Sequence, residues 1–403
     1  MGVYLKRMLL LMSLFCCSTS AWGAEIHGRS STQFMFFQND LLERRQATVA
    51  EYLRIAITNI DKDGKFNIYG YGRGHQDFNA GEGGGMRLYY LYGDYRNLFD
   101  KIDFRIGRQF VNLAAGSAII DGAQVTLKNV GPVAFTVLGG RDVIFGETGE
   151  LGDGTNTALG LAANLEGFQK TDLELSWFRK YDLGDIARDQ LGGAFKQYLF
   201  NSVRLYGNAR YDLVTETFNE VQAGVKYFPT ARLIFTGEWF QSYPTFDTTS
   251  IYSVFAVDRY QEALFRVDYT INEMFSVNGG YTREFFEDDD AANVYHVGVG
   301  VRPIEPLRVN VEYDNRQGYN GSLSGVMVDA AYDLNGKAEL AGGFTYDAYQ
   351  RDSLTNEEIA RRYWLGGKYK LAKNMAVSGR IQNDVNVHYE ENVSGRLVFD
   401  YDF

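Results

Sequence analysis

From Leu307 to Asn315 the stretch "LRVNVEYDN" puts Leu307, Val309, Val311 and Tyr313 on one side of an extended chain. Arg308, Asn310, Glu312 and Asp314 fall on the other. Successive side chains of a strand point to opposite faces, so this segment has one apolar and one charged face. The pattern recurs. Phe265, Val267, Tyr269 and Ile271 oppose Arg266, Asp268 and Thr270, and Val203, Leu205, Ala209 and Tyr211 oppose Arg204, Asn208, Arg210 and Asp212. Ile102, Phe104, Ile106 and Phe110 oppose Asp103, Arg105 and Gln109, with Arg108 out of pattern. Alternating segments of about ten residues have the length a tilted strand needs to cross a bilayer. No stretch holds a helical period beyond a turn or two, and no window approaches about 18 consecutive apolar residues, so no helical span is expected.

The connections carry a second period. Short ones fall at Asp61–Gly64, Asn97–Asp100, Asn129–Pro132, Pro229–Thr230, Asn272–Glu273, Pro303–Pro306, Asn335–Gly336 and Lys373–Asn374. They are rich in Asn, Asp, Gly and Pro, as tight turns require. Between them come longer polar segments such as "HQDFNAGEGGG", "VIFGETGELGDGT", "YPTFDTTSIYS", "EFFEDDDAAN" and "YQRDSLTNEE". Alternating turns and loops predict an all-β, up-and-down antiparallel transmembrane barrel with two unlike ends. The count comes to about 22 strands, within roughly 18–24. Arg188–Leu199 and Ile120–Lys128 are the least certain segments. Only 5 Pro against 44 Gly, with Tyr and Phe at 28 each, fits strands throughout.

The N-terminal stretch has Lys6 and Arg7, an apolar run from Met8 to Cys17, and a small-residue site at Ala21–Gly23. It predicts a secretory signal peptide over 1–23, followed by one barrel domain over 24–403. Cys16 and Cys17, the two cysteines, would leave with it, so the mature chain carries no disulfide, Cys-based metal site or C-x-x-C-H haem attachment. Losing Lys6 and Arg7 takes the net charge from -11 to -13, which disfavours binding to nucleic acid.

At the C-terminus Leu397, Phe399, Tyr401 and Phe403 share one face, and the chain ends on Phe403. This strand resembles the assembly signal read by the bacterial barrel-assembly machinery. "RIGRQF" followed by "IIDGAQVTL" resembles a strand pair common in large porins. The mature chain is thus similar to bacterial outer-membrane porin-like barrels. The resemblance implies an integral outer-membrane protein surrounded by lipid, with turns in the periplasm and loops outside.

By this face assignment the lumen carries Arg54, Asp103, Arg105, Arg204, Arg210, Asp212, Glu238, Arg266, Asp268, Arg308, Glu312, Lys368 and Arg380. Their mixed signs either brace the wall as cross-strand pairs or line a weakly selective channel. Barrels near 22 strands are usually plugged. Here the first strand is expected near Ile26, leaving no room for a plug, and the loops are short. Val111–Ala118 ("VNLAAGSA") is the best inward-folding candidate, yet it is short and uncharged. A wide, unclosed lumen resembles the sheath of porin–cytochrome conduits. That resemblance implies periplasmic and extracellular multihaem cytochromes as partners, with haem in the partner and no cofactor in this chain. The alternative is a diffusion porin for small polar or anionic solutes. No enzymatic activity is expected: His27, His75, His296 and His388 show no catalytic or metal-ligand spacing. The acidic run Glu287–Asp290 reads as a solvated loop, with a divalent cation as the less favoured reading. "GEGGGM" (Gly81–Met86) lacks the Lys-Ser/Thr of a phosphate loop.

Overall fold

The computed structural model describes residues 23–39, 44–78, 84–146, 150–151, 155–244, 258–287, 290–319, 321–351, 356–388 and 390–403. The expected signal peptide up to residue 22, Asp288 and Asp289 of the acidic run, residues 81–83 of the glycine-rich segment and parts of the longer loops lie outside the described residues.

The alternating segments form strands, in chain order β1 (Glu25–Asn39), β2 (Arg44–Thr58), β3 (Phe66–Asp77), β4 (Gly84–Leu98), β5 (Ile102–Leu113), β6 (Gly116–Val130) and β7 (Val133–Asp142). A small hairpin, β8 (Ile144–Phe145) and β9 (Glu150–Leu151), lies in the next connection. Then follow β10 (Thr157–Phe168), β11 (Thr171–Asp182), β12 (Asp185–Leu199), β13 (Val203–Asp212), β14 (Thr217–Thr230), β15 (Leu233–Ser242), β16 (Tyr260–Thr270) and β17 (Phe275–Phe285). The last seven are β18 (Ala291–Ile304), β19 (Leu307–Gly318), β20 (Ser322–Asp333), β21 (Ala338–Gln350), β22 (Glu358–Ala372), β23 (Met375–Val385) and β24 (Asn392–Asp402). All except β8 and β9 belong to one 22-stranded antiparallel sheet. Each barrel strand pairs with its neighbours in sequence, β7 pairs with β10, and β1 pairs with both β2 and β24. Closure pairs the sheet back on itself, as a sheet in lipid requires, with a gap only where β5 parts from the first half of β4. The two uncertain segments are ordinary barrel strands, within β6 and β12.

The residues on the apolar faces point outward. Ile106, Val137, Leu175, Val297, Leu365 and Ile381 are each more than half exposed. All the tight turns expected from sequence gather at one end, with Asn97, Asn129 and Gly336 taking the positive φ such turns need. The opposite end departs from expectation. Beside its longer loops it has close connections between β5 and β6, β11 and β12, and β13 and β14.

The closest of these turns has consequences for the lumen. β5 stays paired to β4 only as far as Leu91↔Arg108, and beyond that point it leaves the wall. Gly107, Gly122 and Gly140 lie opposite one another on β5, β6 and β7. A Cβ on Gly122 would sit 2.1 Å from the Gly139 carbonyl oxygen, and one on Gly140 would sit 2.6 Å from that of Asp121. Only glycine allows this crowding, so the row lets the strands bend. Above it, Val111–Ala118 folds into the barrel and lies on the inner wall of β10–β13.

Two backbone amides at the tip find acceptors there. Ala114 N–H donates to Glu174 Oε1 at 2.5 Å, and Ala115 N–H to Ser176 Oγ at 2.9 Å. Arg210 Nε donates to the Ala114 carbonyl at 3.2 Å. Val111, Leu113, Ala115, Ala118 and Ile120 bury against Leu138, Ala158, Ala162 and Phe178. The sequence argument that short loops leave the lumen unobstructed is corrected here. Strand bending, not loop length, carries the hairpin inward and thickens one side of the wall by a sheet layer of about 10 Å.

Arg108, out of pattern in the sequence, faces outward beside Leu91. Its guanidinium bonds Asp121 through two nitrogens, at 2.7 and 2.8 Å, and pairs with Glu150 of β9. It also donates to the Leu88 carbonyl, left without a ladder partner where β5 departs. Glu150 in turn accepts from Arg141 at 2.8 Å. The β8–β9 hairpin is thereby tied over the place where β4 and β5 separate.

Candidate functional site

The inner wall running from β22 through β24 and β1 to β4 contains a concavity of about 1110 Å³. Its positive side chains are Arg29, Arg54, Lys368, Arg380 and Arg396; its negative ones are Glu339 and Asp400. Both acids are already engaged. Arg29 Nε lies 3.9 Å from Asp400 and 3.1 Å from Asp402, and Glu339 accepts from Arg308 at 2.8 Å. Arg54, Lys368, Arg380 and Arg396 have no carboxylate partner among the described residues.

Neutral contacts hold two of these cations. Arg396 Nη2 donates to Gln33 Oε1 at 2.8 Å, and Arg380 Nη2 to Gln382 Oε1 at 2.9 Å. The Arg380 guanidinium also lies 4.2 Å over the Trp364 ring. Such partners fix the side chains without cancelling their charge. On the adjoining strands Arg73 lies over Tyr52, and Arg87 donates to the Gly146 carbonyl at 2.6 Å. Tyr52, Tyr71 and Tyr90 line the same concavity.

The other residues expected in the lumen sit on the inner face, and most are neutralised there. Asp103 meets Lys128 at 2.8 Å, Arg105 meets Asp94 at 3.4 Å, Arg210 meets Glu220 at 3.5 Å and Arg266 meets Asp268 at 2.7 Å. Arg204 lies over the Tyr206 ring, whose hydroxyl donates to Glu238 at 2.5 Å. Asp212 is buried, accepts from the Val214 and Thr215 amides, and lies 3.5 Å from Gln190 Nε2. Glu312 pairs with no cation among the described residues. Nor do Glu238, Glu262, Asp329 and Asp347, and all five lie on β15–β21. The mixed signs of the sequence are therefore sorted in space, into a basic wall on β22–β4 and an acidic wall on β15–β21.

Sequence reasoning passed over Arg29, Arg73, Arg87 and Arg396. Around Arg29 and Arg73 glycines or hydroxyls stand in place of large apolar partners, which weakens the alternation that revealed the others. The histidines stay apart. His296 bridges Asp314 at 2.6 Å and Asn278 at 2.7 Å, His27 lies 3.4 Å from Glu25, and His388 lies 3.4 Å from Arg351. His75 packs on Gly85. Among the described residues no group of three His, Cys, Asp or Glu could hold a metal.

At the seam Leu397, Phe399, Tyr401 and Phe403 lie on the outer face. The Phe403 ring covers Gly28, where a Cβ would meet it at 2.3 Å. The backbones of these two residues exchange bonds of 2.8 and 3.0 Å.

No protein-family model matches the sequence, and comparison with curated proteins finds no match. Solved structures do match in fold. A variant of the ferric enterobactin receptor (PfeA) of Pseudomonas aeruginosa is similar with a TM-score of 0.62 and 11% identity, over 96% of this chain and 81% of the receptor. OpdK of Pseudomonas aeruginosa, solved with vanillate, is similar with a TM-score of 0.50 and 9% identity, over 94% of this chain and 98% of OpdK. A BenF-like porin from Pseudomonas fluorescens Pf-5 gives the same TM-score and identity over the same shares. The chain has the closed antiparallel barrel fold of outer-membrane porins and receptors.

Proposed function

We propose that this protein is an outer-membrane diffusion channel for anionic solutes, with a binding wall on β22–β4. One observation carries the reading: four cations, Arg54, Lys368, Arg380 and Arg396, converge on one concavity without a carboxylate partner among the described residues. A bracing role would pair them, as it pairs Arg105, Arg210 and Arg266 elsewhere on the wall. Along this wall the unpaired fixed cations raise the local anion concentration and lower that of cations, so the anion path follows β22–β4, away from the unpaired carboxylates of β15–β21. OpdK, solved with vanillate, a carboxylate, shares the fold and supports the reading by analogy.

Reversal potentials across a planar bilayer under a salt gradient test the proposal. The purified barrel should prefer anions, and replacing Lys368, Arg380 and Arg396 together by Gln should abolish the preference. Cation preference in the unaltered protein would overturn it. The sheath around a multihaem cytochrome is the second reading and rests on lumen width alone. Recovery of a haem protein in equal amount from native membranes, with no conductance before its removal, would replace the first reading by the second.

A further inference from the structure

Six tyrosines and a phenylalanine run together along the basic wall. Tyr69 and Tyr92 are 5.4 Å apart between ring centroids, Tyr92 and Tyr90 5.6 Å, and Tyr90 and Tyr71 5.7 Å. Tyr71 lies 5.0 Å from Tyr89, which meets Phe145 of the β8–β9 hairpin at 5.9 Å; Tyr52 joins Tyr71 from the side at 6.4 Å. The track begins near the tight-turn end, where β3 starts and β4 ends, and it reaches the loop that ties the opposite rim.

Two features build it. Tyr69 and Tyr71, like Tyr90 and Tyr92, stand two apart on a strand and so share a face. The register shift between Tyr71 and Gly72 adds a residue to β4 and brings Tyr89 onto the side of Tyr90. None of the six tyrosine hydroxyls has a hydrogen-bond partner among the described residues. Each can donate and accept. Cations flank the rings along the way: Arg105 lies 4.6 Å over Tyr92, Arg73 5.6 Å over Tyr52 and Arg87 4.9 Å over Phe145, with Arg54 in the concavity between.

We infer that this track binds an extended acidic oligosaccharide, a chain of uronate-type sugars, and guides it through the lumen. A sugar ring offers an apolar C–H face to stack on an aromatic ring, hydroxyls at its edge, and, in a uronate, a carboxylate. The wall supplies a partner for each in turn: tyrosine faces, free tyrosine hydroxyls, and arginines. A single-ring acid would use one or two of these rings and leave the rest of the track without a role. The inference rests on the anion-channel reading and narrows it to a class of solute.

Trigalacturonate block of single-channel current in planar bilayers, with maltotriose and benzoate as comparison solutes, tests the track. The trigalacturonate should block at lower concentration than either. In Tyr71→Ala/Tyr90→Ala its half-blocking concentration should rise about tenfold, as expected for two lost ring contacts. The Tyr71→Phe/Tyr90→Phe variant keeps the rings and should fall between. Both variants change lumen side chains only, and heat-modifiable mobility verifies that each barrel has folded. Equal block of the Ala variant and the parent would overturn the track while leaving anion selectivity, and so the channel reading, intact. Benzoate blocking as strongly as trigalacturonate would overturn the extended ligand. An unaltered barrel that prefers cations would overturn the channel reading, and this inference with it.

Discussion

Gly192 decides whether the inward hairpin can dock. A Cβ at this position would lie 2.1 Å from Ala115 N, 2.2 Å from Ala114 C and 2.4 Å from Ala115 Cα. All three are backbone atoms, so no side-chain rotation relieves the clash. In Gly192→Val the hairpin must retreat by over an ångström, which breaks the Ala114–Glu174 and Ala115–Ser176 hydrogen bonds. The bond to the carboxylate contributes roughly 1.5–3 kcal/mol and the bond to the hydroxyl about 1 kcal/mol. Burial of Val111 and Leu113 adds about 1.5–3 kcal/mol each, as an upper estimate. These terms sum to about 5–10 kcal/mol as an upper estimate, a thousandfold or more, and the valine removes most of it. With Leu113→Cys as reporter (Leu113 is 7% exposed), an impermeant maleimide should label the parent slowly and the Gly192→Val background rapidly. Single-channel conductance should rise as the lumen gains the space of the displaced layer. Gly193→Val is the control, since its side chain faces outward and meets Leu175 Cδ2 at 3.4 Å and the Glu174 carbonyl oxygen at 3.7 Å, both ordinary contacts. Equal protection of Leu113→Cys in the Gly192→Val and parent barrels would mean that the hairpin is not seated where Gly192 admits it.

Three further outcomes follow from the walls and the seam. Deleting Phe403, or replacing it by Asp, uncovers Gly28 at the β1–β24 closure and should block assembly; normal amounts of heat-modifiable barrel in the outer membrane would refute a role for the residue. Val309→Arg should destabilise the barrel in lipid by roughly 2–4 kcal/mol, whereas Asn310→Arg, one residue away beside Asp329, should be tolerated; equal denaturant midpoints would mean the faces are misassigned. The hydrogen bond from Arg108 holds the Glu150 carboxyl below the usual carboxylate range, so the tie between β9 and the wall is complete at neutral pH. It should be lost only as pH falls through that lowered value, and a fluorescent probe at Ile144 should report release at higher pH in Arg108→Gln than in the parent.

The sequence by itself determined the barrel. A side-chain period of two forces one face toward lipid and the other toward water. Segments such as Leu307–Asp314 display this so cleanly that facing could be assigned residue by residue along them and the strand count brought to about 22. Turn chemistry did the same for one end, because an Asn or Gly at positive φ is a local requirement. The lumen was only half legible. Arg54, Lys368 and Arg380 belong to the charged face in sequence, but whether each has a carboxylate partner depends on which strands become neighbours and at what register. The separation into basic and acidic walls therefore exists only in the closed sheet.

The tyrosine track left a trace in the sequence, Tyr69 with Tyr71 and Tyr90 with Tyr92, each two apart. Their union into one surface needed the β3–β4 register and the shift that brings in Tyr89. The sequence singled out Val111–Ala118 as the inward-folding candidate, but whether it docks was decided by tertiary structure. Val111–Ala118 carries no charge, and its burial depends on strands some sixty to a hundred residues later: Glu174 and Ser176 as acceptors, Arg210 as a donor, and Gly192 as open space. Periodicity reports which face a residue takes on its own strand. It is silent about a strand that leaves the wall, because what drives that departure is distant backbone and side chains able to receive it.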